Sequence, residues 1–301
     1  MIYTVTFSPA IDYVINVDKL DIGQINRGYN EQVYAGGKGI NVSIVLSNLG
    51  TKSIATGFLG GFTGDFILSE LKKRQIETKF IPIEGNTRIN VKLKGFSETA
   101  INVSGPNISD DKIEELIQYL ETLTSDDLLC ISGAVPKTLP DNMYEMILER
   151  IKGHGVTVII DSTKHILLNT LKYNPLLVKP NKEELEEMFG VVIDSNENLV
   201  KYANKLLERG ARNVIVSLGG DGALLVGENT EPLFLAAPQI KPVVNTVGSG
   251  DSMVAGFIDE YIISKDVKRA FRKGVATGSA TAFSEGLATK IEVDELLEIM
   301  K

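Results

Sequence analysis

Between Asn245 and Phe257 the chain reads NTVGSGDSMVAGF. Gly248, Ser249 and Gly250 stand where a loop is expected to enter a helix, and Asp251 follows at once with an apolar run behind it. The N–H groups of a first helical turn, with the positive end of the helix dipole, make a pocket for an anion. Glycines keep side chains clear of a phosphate held there. Asp251 does not bind that phosphate, because two anions repel. It is suited instead to accept the proton of an attacking hydroxyl, with its own pKa expected low. A loose phosphoryl-transfer transition state asks only for late proton removal and good alignment. The same residues also fit an ordinary helix start with an acidic first turn, so this stretch alone leaves both readings open.

Three further stretches could carry chemistry. AGGKGIN (Ala35 to Asn41) is not the phosphate loop G-x-x-x-x-G-K-[ST]: the spacing differs and no Ser or Thr follows Lys38. It is either a glycine turn into a helix with Lys38 solvated, or a close backbone approach to a sugar, with Lys38 toward a phosphate and Asn41 toward a hydroxyl. VSLGGDGALLVG (216–227) is a hairpin turn or a nucleotide cradle. VKPNKEELEEMFG (178–190) is an acidic helix capped by Asn181, from which Glu184 could reach a metal-bound water.

Composition removes other chemistries. Cys130 is the one cysteine and His154 and His165 the two histidines, so an internal disulfide, a cysteine metal cluster and a histidine-based triad are not expected. Cys130 reads as a buried small hydrophobe at the end of a core strand. A net charge of −8 argues against nucleic acid or an anionic membrane as partner. No run approaches a membrane span, and the opening MIYTVTFSPAIDYV lacks the pattern of a signal peptide. A reducing, cytoplasmic setting is the expectation.

The elements that must position these residues follow from hydrophobic pattern. From about residue 126, apolar runs such as LLCISG, VTVIIDS, LLVKPN and NVIVSLGG alternate with helical patterns such as DNMYEMILERIKGHG, HILLNTLKY and NLVKYANKLLERG. That alternation marks a buried parallel sheet with helices on both faces, whose C-terminal edge is where ligands bind. TVTFSPA and SIATGFLGG look like further strands of it. Two segments, 12–34 and 88–104, are strand-rich, alternating and without a helix; they predict a small antiparallel flap able to close over a ligand or pair with a second copy.

Taken in order, GGKG-x-N, S-G, N-x-x-E, S-x-G-x-x-G and T-x-G-x-G-D resemble the ribokinase-like (PfkB) carbohydrate kinases over essentially the whole chain. The resemblance implies an α/β fold: a central, mostly parallel sheet flanked by helices, in one kinase domain over 1–301, with a lid formed by 12–34 and 88–104. It implies Asp251 as catalytic base and Gly248, Ser249 and Gly250 as the anion hole for the transferred γ-phosphoryl group. Ser217, Gly219, Gly220 and Gly222 would line the ATP site, and Asn181 and Glu184 would organise Mg²⁺ through water. Asp12, Gly36, Gly37 and Asn41 would contact sugar hydroxyls, and Lys38, Arg27 and Arg88 the sugar's own phosphate. Independently, three cations in or beside the flap of an acidic chain suit a phosphorylated sugar. Many relatives have Asp where this chain has Asn245, a change expected to touch loop packing or a monovalent-cation site more than catalysis.

Within the family, DYVINV, AGGKGIN and TRINVKL are most similar to members acting on fructose 1-phosphate, with tagatose 6-phosphate as the near alternative. A homodimer through the flap is the expected assembly. Two other classes compete. A sugar-phosphate sensor without catalysis is opposed by the intact Asp251 and glycines. A dinucleotide-dependent dehydrogenase is opposed by the lack of G-x-G-x-x-G opening a helix after the first strand.

Overall fold

Short, fully apolar runs become strands here because they can bury both faces only between two helical layers. In the computed structural model, which describes residues 1–95 and 99–300, the chain begins β1 (Ile2–Thr6), β2 (Ala10–Asn16), β3 (Tyr29–Gly36), α1 (Lys38–Leu49) and β4 (Ile54–Leu59). It continues α2 (Gly61–Lys73), β5 (Glu77–Pro82), β6 (Arg88–Lys94), β7 (Thr99–Ile101), α3 (Asp110–Leu120) and β8 (Leu128–Ser132). Next come α4 (Met143–Arg150), β9 (Thr157–Asp161), α5 (Lys164–Thr170), β10 (Leu177–Val178), α6 (Lys182–Phe189) and α7 (Asn196–Glu208). The last third holds β11 (Asn213–Ser217), β12 (Ala223–Gly227), β13 (Thr230–Leu235), α8 (Ser249–Ser264), α9 (Val267–Ala282) and α10 (Lys290–Ile299).

The large sheet has the order β13-β12-β11-β10-β9-β8-β1-β4-β5. It is parallel from β11 to β5, with β12 and β13 added antiparallel at one edge. Alternation along each strand splits the core in two. Leu129 and Ile131 of β8, with Val214 and Val216 of β11, face the layer that includes α3, α4 and α7. Leu128, Cys130 and Ile215 face the other, with α1, α8, α9 and α10. Cys130 is therefore a buried small hydrophobe as expected, but in the middle of its strand; burial pushes its thiol up to about 12. His154 and His165 are both exposed.

The expected flap is a second sheet of order β3-β2-β6-β7. Its outer pairs, β2 with β3 and β6 with β7, are antiparallel, and the two hairpins join through a parallel pairing of β2 with β6. Within the 88–104 segment, residues 96–98 lie outside the described ones. A third apolar cluster, Ile11, Ile40, Ile44, Leu59 and Ile67 among it, packs this sheet's root against α1 and α2.

Two strands, β5 and β13, escape the apolar-run criterion. ETKFIP buries only Ile81, and TEPLFL buries none of its residues. Both are edge strands, each carrying a proline, which an inner strand does not tolerate.

The seat of α1 on β1 depends on one glycine. A Cβ on Gly39 would stand 2.6 Å from the Val5 carbonyl oxygen and 2.5 Å from Thr6 Oγ1. Gly39→Ala must therefore push α1, with Lys38 and Asn41, off the sheet, at an expected cost of about 1–3 kcal/mol. Thermal unfolding checks this; an unchanged Tm would mean that α1 has room the backbone does not show.

Candidate active site

The sheet order reverses at β1, which has β8 on one side and β4 on the other. Outside the strand ends at such a switch point, diverging connections leave a crevice. Here it is a cleft of about 740 Å³. Thr6 from the end of β1 and Ser132 from the end of β8 line it, with Lys38 and Asn41 of α1. Lys179 and Asn181 just past β10, Glu184 of α6 and Ser217 of β11 line the far side, and Gly248, Gly250 and Asp251 close it at the start of α8.

The N-terminus of α8 has no side-chain cap: Gly248 is the N-cap, at φ +81, a conformation that suits glycine. Its first-turn N–H groups lack intrahelical acceptors, as in any α-helix. A Cβ on Gly250 would lie 3.1 Å from Lys179 Nζ, so a buried ammonium stands directly beside that turn. The side chain of Asp251 is 6% exposed, and its Oδ2 accepts from Asn41 Nδ2 at 2.8 Å. The two glycine motifs, 210 positions apart in that bond, thus meet at one carboxylate.

A second buried carboxylate organises the cations. Asp161, ending β9 and 1% exposed, lies 3.3 Å through Oδ2 from Lys38 Nζ and 3.4 Å through Oδ1 from Lys179 Nζ. Burial alone would raise Asp161, but Lys179 and Lys38 hold it below the ordinary carboxylate value. The charge of Asp161 raises Lys38 against the opposing effect of burial. Asp251 goes the other way: burial and then the negative charge of Asp161 push it up to about 6, against Lys38, the Asn41 hydrogen bond and Lys179. The low pKa expected for Asp251 is corrected accordingly; desolvation outweighs the helix terminus and both lysines.

Not every expected residue reaches the cleft. Asp12 and Gly36 lie within the small sheet, paired with Tyr34 and Ala10 in turn, and Asp12 accepts from Asn90 at 3.0 Å and meets Lys92 Nζ at 3.3 Å. Gly37 does line the cleft, as does Arg88, whose guanidinium donates to the carbonyls of Ser8 (3.0 Å) and Val103 (3.2 Å). Its Nε is buried without a partner among the described residues. Arg27 sits exposed on the connection between β2 and β3 and is not among the residues lining the cleft. Gly219, Gly220 and Gly222 form the turn just beyond Ser217, outside the lining. Ser249 is not in the lining either, and its buried Oγ finds no partner among the described residues. Asn245 staples its own loop, accepting from Val247 N–H at 3.0 Å and donating to Glu285 at 3.4 Å.

The model of the pfkB family carbohydrate kinases matches residues 1–294. Over 301 residues the chain is 45% identical to 1-phosphofructokinase of Bacillus subtilis (strain 168), covering 100% of this chain and 99% of that protein. It is 38% identical over 296 residues to D-tagatose-1-phosphate kinase of Bacillus licheniformis, covering 98% and 97%. Phosphofructokinase-2 from Escherichia coli, solved in complex with fructose-6-phosphate, superposes with a TM-score of 0.92 at 25% identity over 99% of this chain and 98% of that one. The chain belongs to the pfkB family of carbohydrate kinases. It is a sugar-phosphate kinase of ribokinase-like fold, and the family implies ATP as its phosphoryl donor.

For a pfkB kinase the donor set toward Mg²⁺ is sparse. Asn181 and Glu184 form a reciprocal capping box: Asn181 Oδ1 accepts from Glu184 N–H at 2.6 Å, and Glu184 Oε2 from Asn181 N–H at 2.9 Å. That leaves Glu184 Oε1. Among the described residues no three His, Cys, Asp or Glu side chains gather to cage a metal. One spare carboxylate oxygen suits an ion carried by phosphates and reached through water. No helix among the described residues is long and apolar enough to cross a membrane.

Motif reading missed Asp161, Lys179 and Lys137, the last on the connection after β8 and lining the cleft. Two of them had a signal. Asp161 is the charge that ends the apolar run VTVIID, and Lys179 ends LLVK, so both sit where parallel strands deliver side chains to a site.

The raised pKa of Asp251 makes its ionised form a cost to the fold. The sign is that of a carboxyl held above its unfolded value: its stabilising contribution is present below about pH 4 and is lost as pH rises through about 6. Asp251→Asn should therefore unfold at a higher temperature than the parent at pH 8, with the difference shrinking toward pH 4. Paired melting curves at both pH values check it, and a lower Tm at pH 8 would contradict it.

Proposed function

We propose that this kinase transfers the γ-phosphoryl group of ATP to the free primary hydroxyl of a ketohexose phosphate, fructose 1-phosphate giving fructose 1,6-bisphosphate. The hydroxyl oxygen bonds to the γ-phosphorus, the bond to the β–γ bridging oxygen breaks, ADP leaves, and the hydroxyl proton passes to Asp251. The observation that carries this reading is the juxtaposition at α8: a buried carboxylate beside an uncapped glycine helix start, with Lys179 Nζ next to Gly250. Gly248, Ser249 and Gly250 supply backbone N–H groups to the moving phosphoryl. Lys38 and Lys179 offset its charge, and Asn41 holds Asp251 Oδ2 so that Oδ1 points to the acceptor. Mg²⁺ bound with ATP, organised by Asn181 and by Glu184 through water, would neutralise charge on the phosphates.

The sugar's own phosphate is assigned to the end of the cleft where Arg88 lies, supported by a guanidinium already fixed by two carbonyls and buried at Nε. The relatives sharpen the alternative. D-tagatose-1-phosphate is the 4-epimer of fructose 1-phosphate, with phosphate and reactive hydroxyl at the same ends, so a clamp at Arg88 serves both. The lid exposes Ile22, Ile25, Tyr29 and Tyr34. We propose that a second copy covers this surface, with Arg27 belonging to the lid edge.

ADP release in the presence of MgATP tests the class. The panel is fructose 1-phosphate, tagatose 1-phosphate, fructose 6-phosphate, tagatose 6-phosphate and free fructose, and kcat/KM should be highest for fructose 1-phosphate. Preference for tagatose 1-phosphate would keep the mechanism and change the substrate; turnover of free fructose alone would sink the Arg88 clamp.

Asp251→Asn should lower turnover about 10²-fold or more while ATP still binds. With the parent, kcat/KM should fall as pH drops through about 6, because the base must be deprotonated. An acid limb near 4 would contradict the buried setting of Asp251. Arg88→Ala should raise KM for the sugar phosphate with little change for ATP, and equal effects on both would remove the assignment.

A further inference from the structure

We propose that Asp161 is a positioning residue of the transfer site, a single buried carboxylate that holds Lys38 on one oxygen and Lys179 on the other and thereby keeps both cations at the phosphoryl position and off Asp251. This deepens the reading of Asp251 as base and rests on it.

The argument starts from an imbalance. Two buried carboxylates, Asp161 and Asp251, share the end of the sheet with two lysines, and ligand-free pairing could run either way. Among the described residues both ion pairs go to Asp161, at 3.3 and 3.4 Å, and Asp251 instead takes a neutral amide, Asn41, at 2.8 Å. The lysines reach Asp161 from different elements, Lys38 from the first residue of α1 and Lys179 from just past β10. Asp161 sits between them on β9, whose last residue it is.

Each ammonium has its own oxygen of Asp161: Lys38 Nζ donates a hydrogen bond to Oδ2 at 3.3 Å, and Lys179 Nζ lies 3.4 Å from Oδ1. A lysine stem without such a counter-ion turns to the nearest buried anion, because an unpaired buried charge is costly. With Asp161 neutralised, that anion is Asp251, and a base locked in an ion pair is a poor acceptor.

Among the described residues, the charged and titratable groups that act on Asp251 include Lys38 from α1, the thiol of Cys130 from β8, Asp161 from β9 and Lys179 past β10, with the Asn41 amide on Oδ2. Removing the negative charge of Asp161 and freeing the lysines both favour ionised Asp251. Removing Lys179 does the reverse. The two substitutions must therefore move the pH profile in opposite directions, which a residue that only supports the fold does not do.

The test compares Asp161→Asn and Lys179→Met with the parent, using MgATP and fructose 1-phosphate, or whichever ketohexose phosphate the parent turns over best. For Asp161→Asn we expect kcat per folded molecule to fall about tenfold or more, with the acid limb of kcat/KM moving down by about one pH unit. For Lys179→Met the limb moves up. A loss of kcat with the limb unmoved in both variants overturns the proposal. So does recovery of Asp161→Asn to parental kcat at high Mg²⁺, which would place Asp161 on the metal. If Asp161→Asn does not fold, the direction of the limb in Lys179→Met decides. A parent without turnover on any ketohexose phosphate would reject the proposed substrate class separately. The clamp is then read in the ligand-free protein from the pH dependence of Tm, with Asp251→Asn in each background as the reference, where an Asp251 pKa unchanged by Lys179→Met counts against it.

Discussion

Two carboxylates cannot share a dry strand edge without cations, and that constraint organises this molecule. Asp161 and Asp251 are both buried, and the cost of their charge falls on whatever neutralises them. Lys38 can do so only if α1 starts close against β1, which is why Gly39 lies where any side chain would strike Val5 and Thr6. Lys179 Nζ lies 3.1 Å from where a β-carbon on Gly250 would stand, so the glycine leaves its ammonium room. The glycines of both motifs thus serve the electrostatics as much as the backbone. They let two helices approach one strand edge closely enough for four charges to meet.

The small sheet answers a different constraint. Its pairing of β2 with β6 is parallel, so residues from the start of both strands lie level: Ala10 beside Arg88, Asp12 beside Asn90. Register therefore brings Arg88 to the cleft while Asp12 stays one step out, engaged by Asn90 and Lys92. The connection between β2 and β3 exposes Ile22 and Ile25. The small sheet is thus rooted by the Ile11–Ile40–Ile67 cluster and exposed at its edge.

What was legible in the sequence divides along the same line. Buried strands and capped helices have local signatures: the apolar runs ending at Ser132, Asp161 and Ser217 became strands, and Asn181 caps α6 with Glu184 as its capping-box partner. The glycine motifs marked their positions because close approach has no other residue to use. Edge strands β5 and β13 stayed hidden because half-exposed strands carry little pattern. Asp161 and Lys179 stayed hidden for another reason. A charge at a strand end looks like a boundary, and only the pairing order of β8, β9 and β10 makes neighbours of residues 123 and 141 positions from Lys38. Arg27 illustrates the converse, a basic residue of suitable type that stands exposed on a connection instead of in the cleft lining.

The pKa of Asp251 shows which physical effect governs the site. A helix N-terminus, two nearby ammonium groups and an amide donor all favour its ionised form. Burial and the neighbouring charge of Asp161 nevertheless win, and the carboxyl rises to about 6. The difference has a chemical meaning. A carboxylate near 4 is ionised at neutral pH but a weak proton acceptor, whereas one near 6 is still largely ionised at pH 7 and accepts a proton more readily. The fold bears the expense of that tuning as an unfavourable buried charge, and the Asp161 ion pairs keep the lysines from cancelling it. Stability and proton affinity at this position are two readings of one free-energy difference, so in the proposed role of base Asp251 can be no stronger than the strain its charge puts on the surrounding fold allows.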